Sequence, residues 1–369
     1  MGGPAIPLVD LVAQHRQVAE EVRAGLERIF STGSYILGRD VSEFEEAFAR
    51  FIGVPHCLGV ANGTDAIELV LRAAGVGQGD EVLLPANTFI ATALAVSRAG
   101  ATPVLVDVDP RYQLIDPARA AERRTPRTKA VIAVHLYGQL APVEALQRAL
   151  PGLMLVEDAA QAQGAKRNGV PIGGAGIAAP TSFYPSKNLG AAGDAGAVLT
   201  RDEALAKRIR ALRNYGSDVK YYHPELGFNS RLDSVQAVVL SAKLKHLAAW
   251  NEARRQAARR YDELLRGVPG VSLPETMEGN EPIFYLYVVR IPRRDQVLAR
   301  LQEAGIGAGV HYPVPIHLQG AFQQLGHKEG DFPETERAAK EILSLPMYAE
   351  ITPEQQLRVA EALRAALAA

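Results

Sequence analysis

Residues 153–161 read LMLVEDAAQ. The run 153–156 is apolar without a break and stops abruptly at Glu157-Asp158. A strand with one wet face alternates in polarity, whereas a continuous apolar run is buried on both faces. Upstream runs have the same character: CLGVA (57–61), EVLLP (81–85), TPVLVDV (102–108) and AVIAVHLYG (130–138). Helix-like segments separate them, at 65–74, 90–99 and 142–149. This alternation predicts an α/β fold with a mostly parallel central sheet covered by helices. Ligands of such sheets bind at the carboxyl ends of the strands, so the residues just past each run are the ones to inspect.

The remainder is more helical. Residues 11–30 and 41–51 have helical spacing, with Ser42 near the start of the second segment. Residues 201–213 and 232–265 read as long helices, the second able to carry the chain from a large unit into a smaller one. FYLYVVRIP (284–292) alternates as a strand, 295–305 is helical, HYPVPIHLQ (311–319) is a proline- and aromatic-rich loop, and 352–367 is a closing helix.

The 369 residues carry a formal net charge of −1 and are 47% hydrophobic, enough for one large core and a smaller one. Near-neutrality argues against a nucleic-acid surface. The cluster Arg254, Arg255, Arg259 and Arg260 alternates with Glu252, Asp262 and Glu263, as a solvated helix face does. The single cysteine, Cys57, excludes an intramolecular disulfide and fits a reducing compartment. The opening MGGPAIPLVDLVAQHRQ lacks the charged-then-apolar pattern of a signal peptide. The uncharged stretches 82–97 and 168–186 are too short or too rich in glycine and proline to span a bilayer. The expectation is a cytoplasmic protein with no membrane, nucleic-acid or metal partner.

Four places carry candidate chemistry, each with a plain reading beside a chemical one. At Asn62-Gly63-Thr64-Asp65, Gly63 permits close approach of a ligand, and the helix start with Thr64 offers a phosphate seat. Thr64 or Asp65 could equally be only an N-cap. Phe89, just past EVLLP, could stack on a planar ring or fill the core. Asp158 sits at a buried strand end, where a carboxylate costs several kcal/mol unless paired. A cationic ring nitrogen would pair it, as would an internal salt bridge. Last, TSFYPSKNLGAAGDAG (181–196) opens with a short β-like run and places Lys187 among Phe, Tyr, Pro and Gly. That setting suits a lysine that forms a Schiff base, or a surface turn. In order, a Gly-Thr phosphate turn, an aromatic, an aspartate after an apolar strand and a lysine describe a site for pyridoxal phosphate.

ANGTDAIELVL, LLPANTFIATALAV, VEDAAQAQGA, SFYPSKNLGAAGDAGAV, LRNYGS, GFNSRLDSVQAVVL and HYPVPIHLQ together resemble the DegT/DnrJ/EryC1/StrS sugar aminotransferases, fold-type I pyridoxal phosphate enzymes. The resemblance runs from about residue 6 to the end of the sequence. It implies a large cofactor-binding domain over 1–245, with an N-terminal helical segment, and a smaller C-terminal α+β domain over 246–369. It implies that Lys187 is the Schiff-base lysine, that Asp158 pairs with the pyridinium nitrogen and that Gln161 contacts the 3-oxygen. Thr64, Asp65 and Ser182, with Gly63, would hold the phosphate and Phe89 would stack on the ring. Asn229 would reach the phosphate of a neighbouring subunit, which implies a homodimer with shared sites. Arg231 would contact the donor carboxylate or the sugar nucleotide, and Tyr215, Tyr221, His311 and Tyr312 would lie near that nucleotide.

Related dehydratases replace the lysine by histidine or add an iron–sulfur cluster; Lys187 and the single cysteine both favour transamination. The loop 311–319 resembles that of enzymes aminating C3 of dTDP-3-keto-6-deoxyhexoses with L-glutamate as donor. UDP-linked 3-keto sugars and C4 amination stay open, as does a non-catalytic regulator that keeps the fold.

Overall fold

The computed structural model describes residues 4–368; residues 1–3 and 369, the outer ends of the two expected domains, lie outside the described residues. The apolar runs form strands: His56–Val60 (β1), Glu81–Pro85 (β2), Thr102–Val106 (β3), Thr128–Val134 (β4) and Met154–Asp158 (β5). The two-residue strands Lys166–Arg167 (β6) and Val170–Pro171 (β7) precede Ala179–Ser182 (β8) and Gly196–Thr200 (β9). Strands β3, β2, β4 and β5 lie side by side in that order, all parallel. Val156 bridges Ala178 in parallel, and the N–H groups of Glu157 and Ala159 donate to the carbonyls of Ala178 and Pro180 at 3.0 and 2.9 Å. That seam joins β8 to β5. β9 then pairs antiparallel with both β8 and β1. The order is therefore β3-β2-β4-β5-β8-β9-β1, with β9 running against the other strands.

Alternate side chains part to opposite faces of the sheet. Val82, Leu84, Ile132 and Val156 pack against helices Gly63–Ala73, Ile90–Arg98 and Glu203–Leu212. Leu83, Val131, Ala133 and Leu155 pack on the other side against helix Val143–Ala149. At the β1 end, Cys57, Ala197 and Leu199 meet Phe44 and Phe48 of helix Arg39–Ile52 and Leu240 of helix Ser234–Leu244. Burial on both faces is why these runs are apolar at every position.

Asn280–Glu281 (β10) pairs with β6, and Tyr287–Arg290 (β11) pairs antiparallel with Ile342–Leu345 (β12). A further core gathers Tyr287, Val289, Leu343 and Leu345 with Ala257 and Tyr261 of helix Leu247–Leu265 and Val359 and Leu363 of helix Pro353–Ala368. Ile6 joins this core and bridges Ile306.

Several element bounds differ from the sequence expectation. Helix 11–30 is two helices, Leu11–Arg16 and Ala19–Thr32, with buried Val18 at φ −123° between them. Helix 232–265 breaks at Lys245-His246, where the His246 ring stacks on Trp250 at 5.4 Å. The strand read over 130–138 stops at Val134, because Tyr137 turns to φ +60°. The strand read over 284–292 shortens to 287–290, after Phe284 at φ +45°. No helix among the described residues is long and apolar enough to cross a membrane.

Phe44, Phe48 and Phe183 are fully buried, with Phe48 stacked on Phe44 at 5.7 Å and edge-on to Phe183 at 5.3 Å. Phe48→Ala should cost about 3–5 kcal/mol of stability, read from guanidinium unfolding. A loss under about 1 kcal/mol would show that this cluster does not seat the helix on the sheet.

Candidate active site

β1 ends at Val60, and the chain turns through Asn62, in extended conformation, into helix Gly63–Ala73. The Asn62 side chain accepts from the Asp65 N–H at 2.8 Å. The N–H groups of Gly63 and Thr64 have no partner within the helix, as in any first turn. This helix start lies hard against β8: a Cβ on Gly63 would sit 2.7 Å from Ser182 Cβ. Gly196 of β9 is as tightly confined, since a Cβ there would fall 2.5 Å from the Asn62 carbonyl carbon.

Two adjacent carboxylates end β5 and face opposite ways. Glu157 is fully buried and accepts from His135 Nε2 at 3.0 Å and from the N–H groups of Ala175 and Gly176 at 3.2 and 2.7 Å. The Ala141 N–H donates to His135 Nδ1 at 3.1 Å, which puts the ring proton on Nε2. Glu157 is thus satisfied inside the fold. Asp158 is 5% exposed and lines a cavity of about 440 Å³. It accepts from Thr92 Oγ1 at 2.8 Å and from the Ala160 N–H at 3.2 Å. Because Thr92 donates to Asp158, its 3.0 Å contact with Thr88 has Thr88 as donor. Burial holds the Asp158 carboxyl above its usual range, against the lowering pull of those hydrogen bonds and of the Lys187 charge.

Lys187 lines the same cavity, with Nζ 4.4 Å from the centroid of the Tyr285 ring. The Tyr285 hydroxyl lies 3.3 Å from Ser186 Oγ. The lysine loop folds back on itself, and Gly190 allows this: a Cβ there would lie 2.2 Å from the Pro185 carbonyl oxygen. On the facing wall, Phe89 is half exposed and its ring is 5.1 Å from that of Tyr312. Gln161 accepts from the Tyr137 N–H at 2.7 Å and donates to the Tyr312 hydroxyl at 3.3 Å. His311 Nδ1 is 2.8 Å from Ser344 Oγ, and burial, helped by the Lys187 charge, pushes its pKa down to about 4. His311 is therefore neutral at neutral pH.

Of the sequence candidates, the cavity brings together Gly63, Thr64, Phe89, Asp158, Gln161, Ser182, Lys187, His311 and Tyr312. Asp65 is not in its wall. The Asp65 carboxylate accepts from Ser230 Oγ at 2.8 Å and pairs with Arg98 at 3.2 Å, away from the cavity. Tyr215, Tyr221 and Arg231 line a separate open cavity of about 950 Å³, where the Arg231 guanidinium lies 5.4 Å from the Tyr215 ring. Asn229 is exposed and bridges Asn214 beside it. Sequence reading missed Thr92, Tyr184, Asp194 and Tyr285, which also line the Lys187 cavity. The threonines at 88 and 92 are a visible polar pair at helical spacing, whereas nothing distinguishes Tyr285 within FYLYVV.

Residues 16–364 match the DegT/DnrJ/EryC1/StrS aminotransferase family. The chain is 48% identical over 360 residues to a pleiotropic regulatory protein of Geobacillus stearothermophilus, covering 96% of this chain and 97% of that one. It is 44% identical over 363 residues to a dTDP-3-amino-3,4,6-trideoxy-alpha-D-glucose transaminase of Streptomyces venezuelae, covering 98% and 96%. The crystal structure of S. venezuelae DesV in complex with a ketimine intermediate superposes with a TM-score of 0.96 at 44% identity, covering 98% of each chain.

The residues present fit pyridoxal phosphate on this structure's own terms. A buried carboxylate held above its usual range calls for a cation at the cavity, a helix start pressed on Ser182 offers N–H donors to an anion, and a lysine reaches the same space. With a fold-type I sheet, this cavity at its carboxyl edge and a match over nearly its whole length, the chain belongs to the DegT/DnrJ/EryC1/StrS family of pyridoxal phosphate-dependent aminotransferases.

Proposed function

We propose that this aminotransferase moves an amino group from L-glutamate to C3 of a nucleotide-linked keto sugar, with a dTDP-3-keto-6-deoxyhexose as acceptor. The observation that carries the chemistry is the meeting of Asp158 and Lys187 in one cavity. The similarity to the S. venezuelae transaminase supports the sugar and the nucleotide.

Bound pyridoxal phosphate supplies an electron sink for the pair left at the donor's α-carbon. Asp158, buried and braced by Thr92 and the Ala160 N–H, would keep the proton on the ring nitrogen. The N–H groups of Gly63 and Thr64, with Ser182 Oγ, would seat the phosphate. Gln161 would contact the ring's 3-oxygen, and Phe89 would stack on the ring. Lys187 Nζ would hold the cofactor and, as a free amine, would be the base that takes the proton from the donor's α-carbon and passes it to the cofactor's carbon, with the opposite transfer delivering a proton to the acceptor carbon in the second half-reaction. Neutral His311 and the Tyr312 hydroxyl face the acceptor sugar as uncharged hydrogen-bonding groups.

The working unit of this reading is a homodimer with shared sites. Asn229, Tyr215, Tyr221 and Arg231 lie apart from the Lys187 cavity of their own chain, on exposed surface or in an open cleft, free to serve a partner. Phe30, Tyr35, Ile36 and Leu37 are exposed apolar side chains that a second copy would cover. The division into a large domain over 1–245 and a small one over 246–369 belongs to the same proposal, as does a cytoplasmic setting, which the buried thiol of Cys57 fits.

Three results are expected. A panel of keto sugars with labelled L-glutamate should give the 3-amino product from the dTDP-linked 3-keto sugar. Amination at C4, or preference for a UDP sugar, would overturn the acceptor assignment. Lys187→Ala should lower turnover by about 10⁴-fold or more while the fold persists by circular dichroism; near-normal turnover would remove Lys187 from its role. Mixing Asn229→Ala with Lys187→Ala subunits should restore activity that neither variant has alone. Proven heterodimers without restored activity would exclude shared sites.

A further inference from the structure

Behind the cavity wall, four buried side chains join in one hydrogen-bonded series. Asn188, next to Lys187 and 1% exposed, donates through Nδ2 to Asn251 Oδ1 at 2.8 Å and to the Ile283 carbonyl at 3.3 Å. Asn251, 2% exposed, donates to the backbone carbonyl of Gln163 at 2.9 Å. Gln163 Nε2 donates to Thr181 Oγ1 at 2.9 Å and to the Ser182 carbonyl at 2.8 Å. Thr181 Oγ1 donates to the Ala159 carbonyl at 2.9 Å. The series therefore ties together the chain neighbours of Lys187 and Asp158 and the backbone of Ser182. Its orientation is fixed, because Asn188 Nδ2 and Gln163 Nε2 face acceptors.

Room for Asn251 is built into the fold. Gly164 has φ +96°, and a Cβ there would lie 2.8 Å from Asn251 Nδ2. Asn251 belongs to helix Leu247–Leu265, whose later residues Ala257, Ala258 and Tyr261 lie in the C-terminal core. The bond from Asn251 to Asn188 is thus a strut between that helix and the lysine loop, and its bond to Gln163 fixes the strut to the segment that holds Ser182.

We propose that Asn251 is a positioning residue that sets the span between Lys187 and the phosphate seat. The proposal rests on the reading in which Lys187 and Ser182 hold opposite ends of pyridoxal phosphate. A ligand held at two ends gains affinity only when the span is right, whereas a ligand held at one end is indifferent to it.

The test uses the apoprotein and two probes, pyridoxal 5′-phosphate and inorganic phosphate. Asn251→Leu removes donor and acceptor at similar volume. It should weaken pyridoxal phosphate binding about tenfold or more and leave inorganic phosphate, measured by competition, within about twofold of wild type. Asn188→Ala cuts the same bond from the other side and serves if Asn251→Leu does not fold. Where both fold, the double variant should bind pyridoxal phosphate no more weakly than the weaker single one. Tyr261→Phe, which removes a 2.9 Å bond to the Pro346 carbonyl in the C-terminal core, should lower thermal stability without changing cofactor affinity. Wild-type cofactor affinity in the Asn251 and Asn188 variants, with only a lowered melting temperature, would make the strut merely structural and overturn the proposal. Equal weakening of both probes would do the same, by showing collapse of the seat rather than a change of span. Wild-type protein that binds no pyridoxal phosphate would overturn the cofactor reading and this proposal with it.

Discussion

The structure turns on one carboxylate that the fold buries and does not neutralise. Glu157 and Asp158 are adjacent, so the pleat of β5 sends them to opposite faces. Glu157 meets His135 and two backbone N–H groups and is settled. Asp158 meets one hydroxyl and one N–H, and burial still holds its pKa up. A charge left in that condition costs free energy until a cation joins it. The sheet order, the seam between β5 and β8 and the fold-back of the lysine loop all serve to bring that charge, an amine and a helix start to one cavity.

The far wall of the cavity is braced as firmly as the near one. The Tyr137 hydroxyl donates to the His311 carbonyl, the His311 ring meets Ser344 of β12, and Gln161 links Tyr312 to the end of β5. Ile316 donates its N–H to the Ala86 carbonyl at 3.1 Å, three residues before Phe89. The loop 311–319 is therefore a fixed surface of the sheet edge rather than a free flap, and discrimination between acceptors can rest on its side chains.

Strands β1 to β5 were legible because burial on both faces leaves an unbroken apolar run. β9 and β12 were not. GAVLT and ILSL are too short to stand out, and β9 owes its place to antiparallel pairing with strands remote in sequence. The helix breaks at 17–18 and 245–246 fall inside continuous helical patterns, and at the second the His246 ring stacks on Trp250 four residues on. In the site, Lys187, Asp158, Thr64 and Phe89 announce themselves by residue type at a strand end. Asp65 could be read as a cap or as a phosphate ligand; the N-cap is Asn62, and the Asp65 carboxylate lies outside the cavity wall, engaged with Ser230 and Arg98. Tyr285 and Asn251 were invisible because their partners lie far off in sequence: Lys187 stands about a hundred positions before Tyr285, and Asn188 and Gln163 stand 63 and 88 positions before Asn251.

The place of β9 has a consequence for synthesis. β1 emerges early from the ribosome, yet its sheet neighbour is β9, which ends at Thr200. Until then β1 is an apolar strand with an open edge, and the helix start that it aims has nothing to rest on, since Ser182 and Gly196 arrive late as well. The nascent chain can pair β2, β3, β4 and β5 first, because these are consecutive and parallel with helices between them. Closure of the cofactor pocket is accordingly a late event of folding, and the half-made protein must shelter β1 in the meantime.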